Sequence, residues 1–73
     1  MTDTANLIRQ RFDALAPVLD EQARRRLAAA EARSLGHGGV TLVSKVTGLA
    51  RSTINRGIAE IEENRSAGEG RVR

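Results

Sequence analysis

Apolar residues recur along most of the chain at spacings of three and four, the period of a helix with one buried face. From Thr4 onward, Ala5, Ile8, Phe12, Leu15 and Leu19 draw the first stripe. Pro17 interrupts it, because proline lacks a backbone donor and disfavours helix at Ala16, so the first helix is expected to stop near Leu15. Asp20 then reads as an N-cap, and the charge of Glu21 suits a helix start. The second helix is expected to run through Leu27 to about Leu35 and to end at Gly36. Ala23, Ala28, Ala29, Ala30 and Ala32 give it strong propensity but a shallow packing face. Thr41 can cap a short helix holding Leu42, Val43 and Val46, which Gly48 stops. Ala50, Ile54, Ile58 and Ile61 draw a last stripe that fades around Asn64. The expected fold is therefore all-α, a small bundle of about four helices in one domain over residues 1–64, with 65–73 as a flexible tail or linker.

The short helix, the turn at Gly48 and the longer helix together meet the demands of a helix-turn-helix, expected at about residues 41–63. Two closely crossing helices need a small residue facing the partner, and Ser44 is placed for this. Gly48 tolerates the positive φ that the turn requires. Leu49 plugs the core after the turn, Ile54 anchors the second helix six positions past the glycine, and Val43 completes the small core.

Composition narrows the chemistry. The chain has 73 residues, no cysteine, one histidine, one phenylalanine and no tyrosine or tryptophan. A disulfide framework, a thiolate nucleophile and a zinc-thiolate site are excluded, and no aromatic platform exists for stacking single-stranded bases. His37 lies in the loop Gly36-His37-Gly38-Gly39 without a metal-sharing neighbour in sequence, and no strand or Walker lysine makes that loop a phosphate cradle. We expect no catalytic residue, metal or cofactor. The first 20 residues contain Asp3, Arg9, Arg11, Asp13 and Asp20, so no signal-peptide core is expected there, nor any membrane span. The expected location is cytoplasmic and nucleoid-associated.

Charge is distributed more tellingly than its total of +3 suggests. Residues 32–59 carry Arg33, Lys45, Arg51 and Arg56 and no acid, whereas the ends of the chain are neutral or slightly acidic. This acid-free window coincides with the helix-turn-helix and is a candidate phosphate-facing surface. On the second helix of the motif, Ser52, Arg56 and Ala59 fall opposite Ile54, with Asn55 on the flank and Arg51 in the first turn. Arginine can grip guanine O6 and N7 and asparagine can grip adenine N6 and N7, so Arg51, Ser52, Asn55 and Arg56 are the expected base-contacting residues. Thr41, Ser44, Lys45 and Thr53 are the expected phosphate contacts. Ala50 stands where a capping Ser or Thr would serve the helix, at a cost of about 1 kcal/mol. Arg24, Arg25 and Arg26 point in different directions and read as solvated surface with Asp20, Glu21 and Glu31 as partners. Glu31 lies close to the apolar stripe and is expected to pair with an arginine of a neighbouring helix.

The stretch Leu19-Asp-Glu-Gln-Ala-Arg-Arg-Arg-Leu-Ala-Ala-Ala-Glu-Ala-Arg-Ser-Leu-Gly-His-Gly-Gly-Val40 resembles the amino-terminal region of a bacterial insertion-sequence transposase family, the Rhodopirellula-type DDE transposases. The likeness continues through Val46-Thr-Gly-Leu-Ala-Arg-Ser-Thr-Ile-Asn-Arg-Gly-Ile58 and Gly70-Arg-Val-Arg73, about residues 12–73 in all. It departs at His37, where the family tends to have tyrosine, and at Ala50, where it tends to have serine. The resemblance implies a helix-turn-helix that binds the terminal inverted repeats of a mobile element. It covers the DNA-binding portion alone; the three metal-holding carboxylates of a DDE enzyme belong to a separate domain, so the chain is expected to be a part or a truncated form of such a transposase.

The leading expectation is thus sequence-specific binding of double-stranded DNA without catalysis. The alternative is a helical protein-interaction module, such as a truncated transposase-like inhibitor or a small DNA-binding regulator. It would form a homodimer or pair with full-length transposase through the Ile8/Phe12/Leu15 stripe.

Overall fold

A computed structural model describes residues 2–72, with side chains for residues 3–64. Helix α1 spans Thr2–Leu15, a 3-10 turn Ala16–Val18 follows, and then come α2 (Glu21–Leu35), α3 (Gly39–Thr47) and α4 (Arg51–Val72). Among the described residues there is no strand, and the protein is a small all-α bundle containing a helix-turn-helix, α3-turn-α4. Proline acts as its chemistry dictates: α1 gives way to the 3-10 turn directly before Pro17. Asp20 caps α2, its carboxylate accepting from the Ala23 N–H at 2.8 Å.

Two boundaries differ from the sequence pattern. Helix α3 begins at Gly39 with Gly38 as its cap, two residues before Thr41, which is an exposed helical residue. The glycine-rich loop lets the chain reverse at once and seats Gly39, itself buried, on the last turns of α2. Helix α4 does not fade at Asn64; its backbone stays helical to Val72. The apolar period reports burial rather than helicity, and no proline after Asn64 breaks the hydrogen-bond ladder.

Helix α2 is the hub of the bundle, packing chiefly on α4 and α3, while α1 lies mainly on α3. The core joins Ile8 and Phe12 of α1, Ala28 and Ala32 of α2, Val43 of α3 and Ile54 of α4. Full burial of a Val, Ile or Phe side chain is worth about 1.5–3 kcal/mol, so these four large residues carry most of the apolar stabilisation. The first stripe is therefore spent inside the chain. Ile8 and Phe12 are 1% and 8% exposed, and of the three stripe residues expected to recruit a partner only Leu15 stays open to solvent.

The alanines of α2 allow close approach, and Gly57 of α4 exploits it. A Cβ built at Gly57 would lie 2.7 Å from the Arg25 carbonyl oxygen and 2.9 Å from Cβ of Ala29. Glycine inside a helix costs about 1 kcal/mol relative to alanine, and here that cost secures a nearly direct contact of two helix backbones. One turn beyond, Glu60 fastens the same two helices. Arg25 donates to both its oxygens, Nη2 to Oε2 at 2.8 Å and Nε to Oε1 at 3.1 Å. Arg26 adds Nε to Oε1 at 3.4 Å. With the Asn64 amide oriented so that its oxygen faces Arg26, it accepts from Nη1 at 3.0 Å. Arg25 and Arg26 thus find their carboxylate across the helix interface and not among Asp20, Glu21 and Glu31. Sequence spacing shows only partners on the same helix; α4 arrives from 34 and 35 residues away. Glu31 pairs as expected with a neighbouring helix, taking two bonds from Arg11 of α1 at 2.6 and 2.8 Å.

Two outcomes test this packing. Gly57→Ala gains about 1 kcal/mol of helix propensity but forces a clash with rigid backbone, and overpacking of this kind costs about 1–3 kcal/mol. We expect a net loss of stability in urea unfolding; a variant as stable as the parent contradicts the close approach. The hydrogen bonds from Arg25 hold the Glu60 carboxyl below the usual carboxylate range. A depressed folded value means that the contribution is fully present above the unfolded carboxylate value of about 4.3 and is lost as pH falls through the folded one. Thermal melts should therefore weaken below about pH 4.5, and the decline should be shallower in Glu60→Gln.

Candidate nucleic-acid interface

The α3–α4 turn is built by three residues that each meet a separate demand. Gly48 takes φ 81° and ψ 0°, the left-handed region that costs an ordinary residue about 1–2 kcal/mol, and its N–H closes on the Ser44 carbonyl at 3.0 Å. Thr47 Oγ1 donates to the Val43 carbonyl at 2.7 Å and accepts the Leu49 N–H at 3.3 Å. Ser44 Oγ donates to the Leu49 carbonyl at 2.7 Å. Both backbone polar groups of Leu49 are thus satisfied by hydroxyls of α3, which lets its side chain pack against the core. Ala50 then supplies the carbonyl for the first bond of α4, accepting from Ile54 N–H at 3.1 Å. No side chain of the described residues caps this start.

The structure distributes the expected contact residues unevenly. Arg51, Ser52, Asn55 and Arg56 are all exposed on the first turns of α4; at 100° per residue Ser52 and Arg56 lie opposite the buried Ile54, with Asn55 and Arg51 on its flank. On α3, Thr41 and Lys45 are exposed, while Thr53 of α4 is half-buried. Ser44 leaves the set of expected phosphate contacts. Its single hydroxyl hydrogen is already given to Leu49, and a phosphate oxygen offers no hydrogen in return.

The acid-free window of the sequence is not wholly acid-free in space. Arg33 reaches Glu62 at 3.4 Å because the later turns of α4 lie along α2, and Arg56 reaches Glu60, one turn on in the same helix, at 3.7 Å. Lys45 and Arg51 have no carboxylate within ion-pair distance among the described residues. Among the described residues they are the unpaired cations of the motif and flank its turn, Lys45 in the last turn of α3 and Arg51 at the start of α4. Glu60 and Gly57, which set how α4 sits, escape a reading based on outward faces. A glycine at a stripe position in mid-helix was the one available signal.

No group of residues suited to holding a metal ion occurs among the described residues, and no helix of theirs is long and apolar enough to cross a membrane. The fold and the exposed face define the class, a small all-α helix-turn-helix protein with a basic, acid-poor start to its second motif helix. A scan against protein-family models gives no match, and neither the curated proteins nor the solved structures yield a significant one.

The turn and the cap are both testable. Ser44→Ala leaves the Leu49 carbonyl without its partner and should cost about 1–3 kcal/mol in denaturant unfolding. Ala50→Ser restores a capping oxygen and should add about 1 kcal/mol. Equal stability of all three proteins would mean that neither feature acts as described.

Proposed function

We propose that this chain binds double-stranded DNA in a sequence-specific way, with α4 as the recognition helix. The observation that carries this reading is the outward face of the first turns of α4. Arg51, Ser52, Asn55 and Arg56 stand exposed together there, on a helix anchored by Ile54 and set by the Gly48 turn. Arginine and asparagine are the side chains whose forked donors match guanine and adenine edges in the major groove. Lys45, Thr41 and Thr53 then supply phosphate contacts that fix register. The resemblance to Rhodopirellula-type transposases extends the reading. The chain would be the DNA-recognition part of a transposase-like protein, and its target would be terminal inverted repeats. A location on the bacterial nucleoid follows from such a target.

The protein-interaction alternative loses most of its surface, since Ile8 and Phe12 belong to the core. It retains Leu7, Leu15 and Val18, which are 50%, 44% and 78% exposed.

Selection from random duplexes, followed by a salt titration, tests the proposal. We expect an enriched motif and an affinity that falls steeply with salt. Arg56→Ala and Asn55→Ala should each relax one position of that motif, at about 1–3 kcal/mol of discrimination. Lys45→Ala should weaken all duplexes alike and flatten the salt slope by about one ion. Enrichment of no motif, with binding lost equally for every sequence at moderate salt, would sink sequence-specific recognition. Self-association of a chain that ignores DNA would favour the interaction module.

A further inference from the structure

An arginine that reads a base needs an orientation as well as a place, and a free arginine loses considerable rotamer entropy in acquiring one. The Arg56 side chain is 72% exposed, yet its Nε lies 3.7 Å from Oε2 of Glu60, one turn further along α4. Helical side chains lean toward the N-terminus, so Glu60 reaches back over Arg56 while Arg56 leans toward the start of α4. A carboxylate on an open helix surface is ordinarily as mobile as the cation it meets, and such pairs do little. Glu60 differs. Its side chain is 19% exposed, and Arg25 and Arg26 of α2 hold both its oxygens. The contact with Arg56 engages Nε, leaving the two terminal nitrogens for a bidentate contact with a base.

We propose that Glu60 is a positioning residue for base reading: fixed by Arg25 and Arg26, its carboxylate draws Arg56 by Nε and so presents the terminal nitrogens to a guanine edge. This rests on the DNA-binding reading above and adds a regulator of its specificity that lies off the contact face. The charge balance suits the role. One carboxylate shared among three guanidiniums orients Arg56 without cancelling the positive character that draws phosphate.

The test uses the duplex motif selected by the parent protein and the one base pair whose preference Arg56→Ala relaxes. Discrimination at that pair, by about tenfold or more in the parent, is expected to fall to about twofold in Glu60→Gln, with affinity for non-specific duplex and the salt slope retained. Added to Arg56→Ala, Glu60→Gln should change nothing further at that pair. If Glu60→Gln fails to fold by circular dichroism, the double variant Arg25→Met with Glu60→Leu replaces the ionic contact by an apolar one of similar volume and carries the same expectation. Full discrimination in a folded variant lacking the carboxylate overturns the positioning role while leaving DNA recognition intact. So does a loss of affinity equal for all sequences, which marks Glu60 as merely structural. If the parent protein enriches no motif, DNA recognition itself fails and the positioning role with it.

Discussion

Gly57 brings the backbone of α4 almost onto that of α2, and Glu60 one turn later fastens the two helices through Arg25 and Arg26. Helix α4 carries Arg51, Ser52, Asn55 and Arg56, the residues proposed to read bases, so its height and rotation over α2 decide where they stand. The core beneath is thin. Ala28, Ala29 and Ala32 contribute little area, but their small size is what permits helix axes to lie so close. A bundle of this size has few large side chains to bury, and it gains definition from contacts that tolerate little displacement rather than from bulk.

The arginines divide their labour by position. Arg11 and Arg25 are taken up by carboxylates of other helices, which join α1 to α2 and α2 to α4. Hydrogen bonding raises both guanidiniums further above their already high ordinary value, so these joints keep their positive partner at any pH the protein meets. Arg24 closes the broken end of α1 differently, donating to the Ala16 carbonyl at 3.0 Å. Of the other basic residues with described side chains, Lys45 and Arg51 of the helix-turn-helix and Arg9 of α1 make no ion pair. Glu31 and Glu60 are spent on joints between helices, and the start of α4 keeps its positive charge.

Helix existence, the break at Pro17, the Asp20 cap and the turn at Gly48 were all legible in the sequence, because each follows from a local rule about one residue's backbone. The outward set Arg51, Ser52, Asn55 and Arg56 followed from the period of the Ile54 stripe. Other features depend on which helix meets which, and local spacing is silent about that. Glu60 looked like the first acid beyond a basic face, and only the fold shows it turned inward to α2. Ser44 satisfied two descriptions at once, a small residue at a crossing and a hydroxyl near phosphate, and a single hydrogen bond to Leu49 decides between them. Thr41 looked like a cap because capping residues are polar, but the glycines before it let α3 start sooner.

The two hydroxyl bonds to Leu49 have a consequence for the thermodynamics of any complex that α4 forms. A three-residue connector would normally be the softest element of such a bundle, and a ligand would have to still it at the moment of binding. Here Ser44 and Thr47 tie down both backbone polar groups of its central residue, Leu49, so the entropy of ordering the hinge is lost during folding instead. A partner met by α4 encounters a rigid body, and the strength of its contacts can appear as affinity rather than being consumed in arranging the helix.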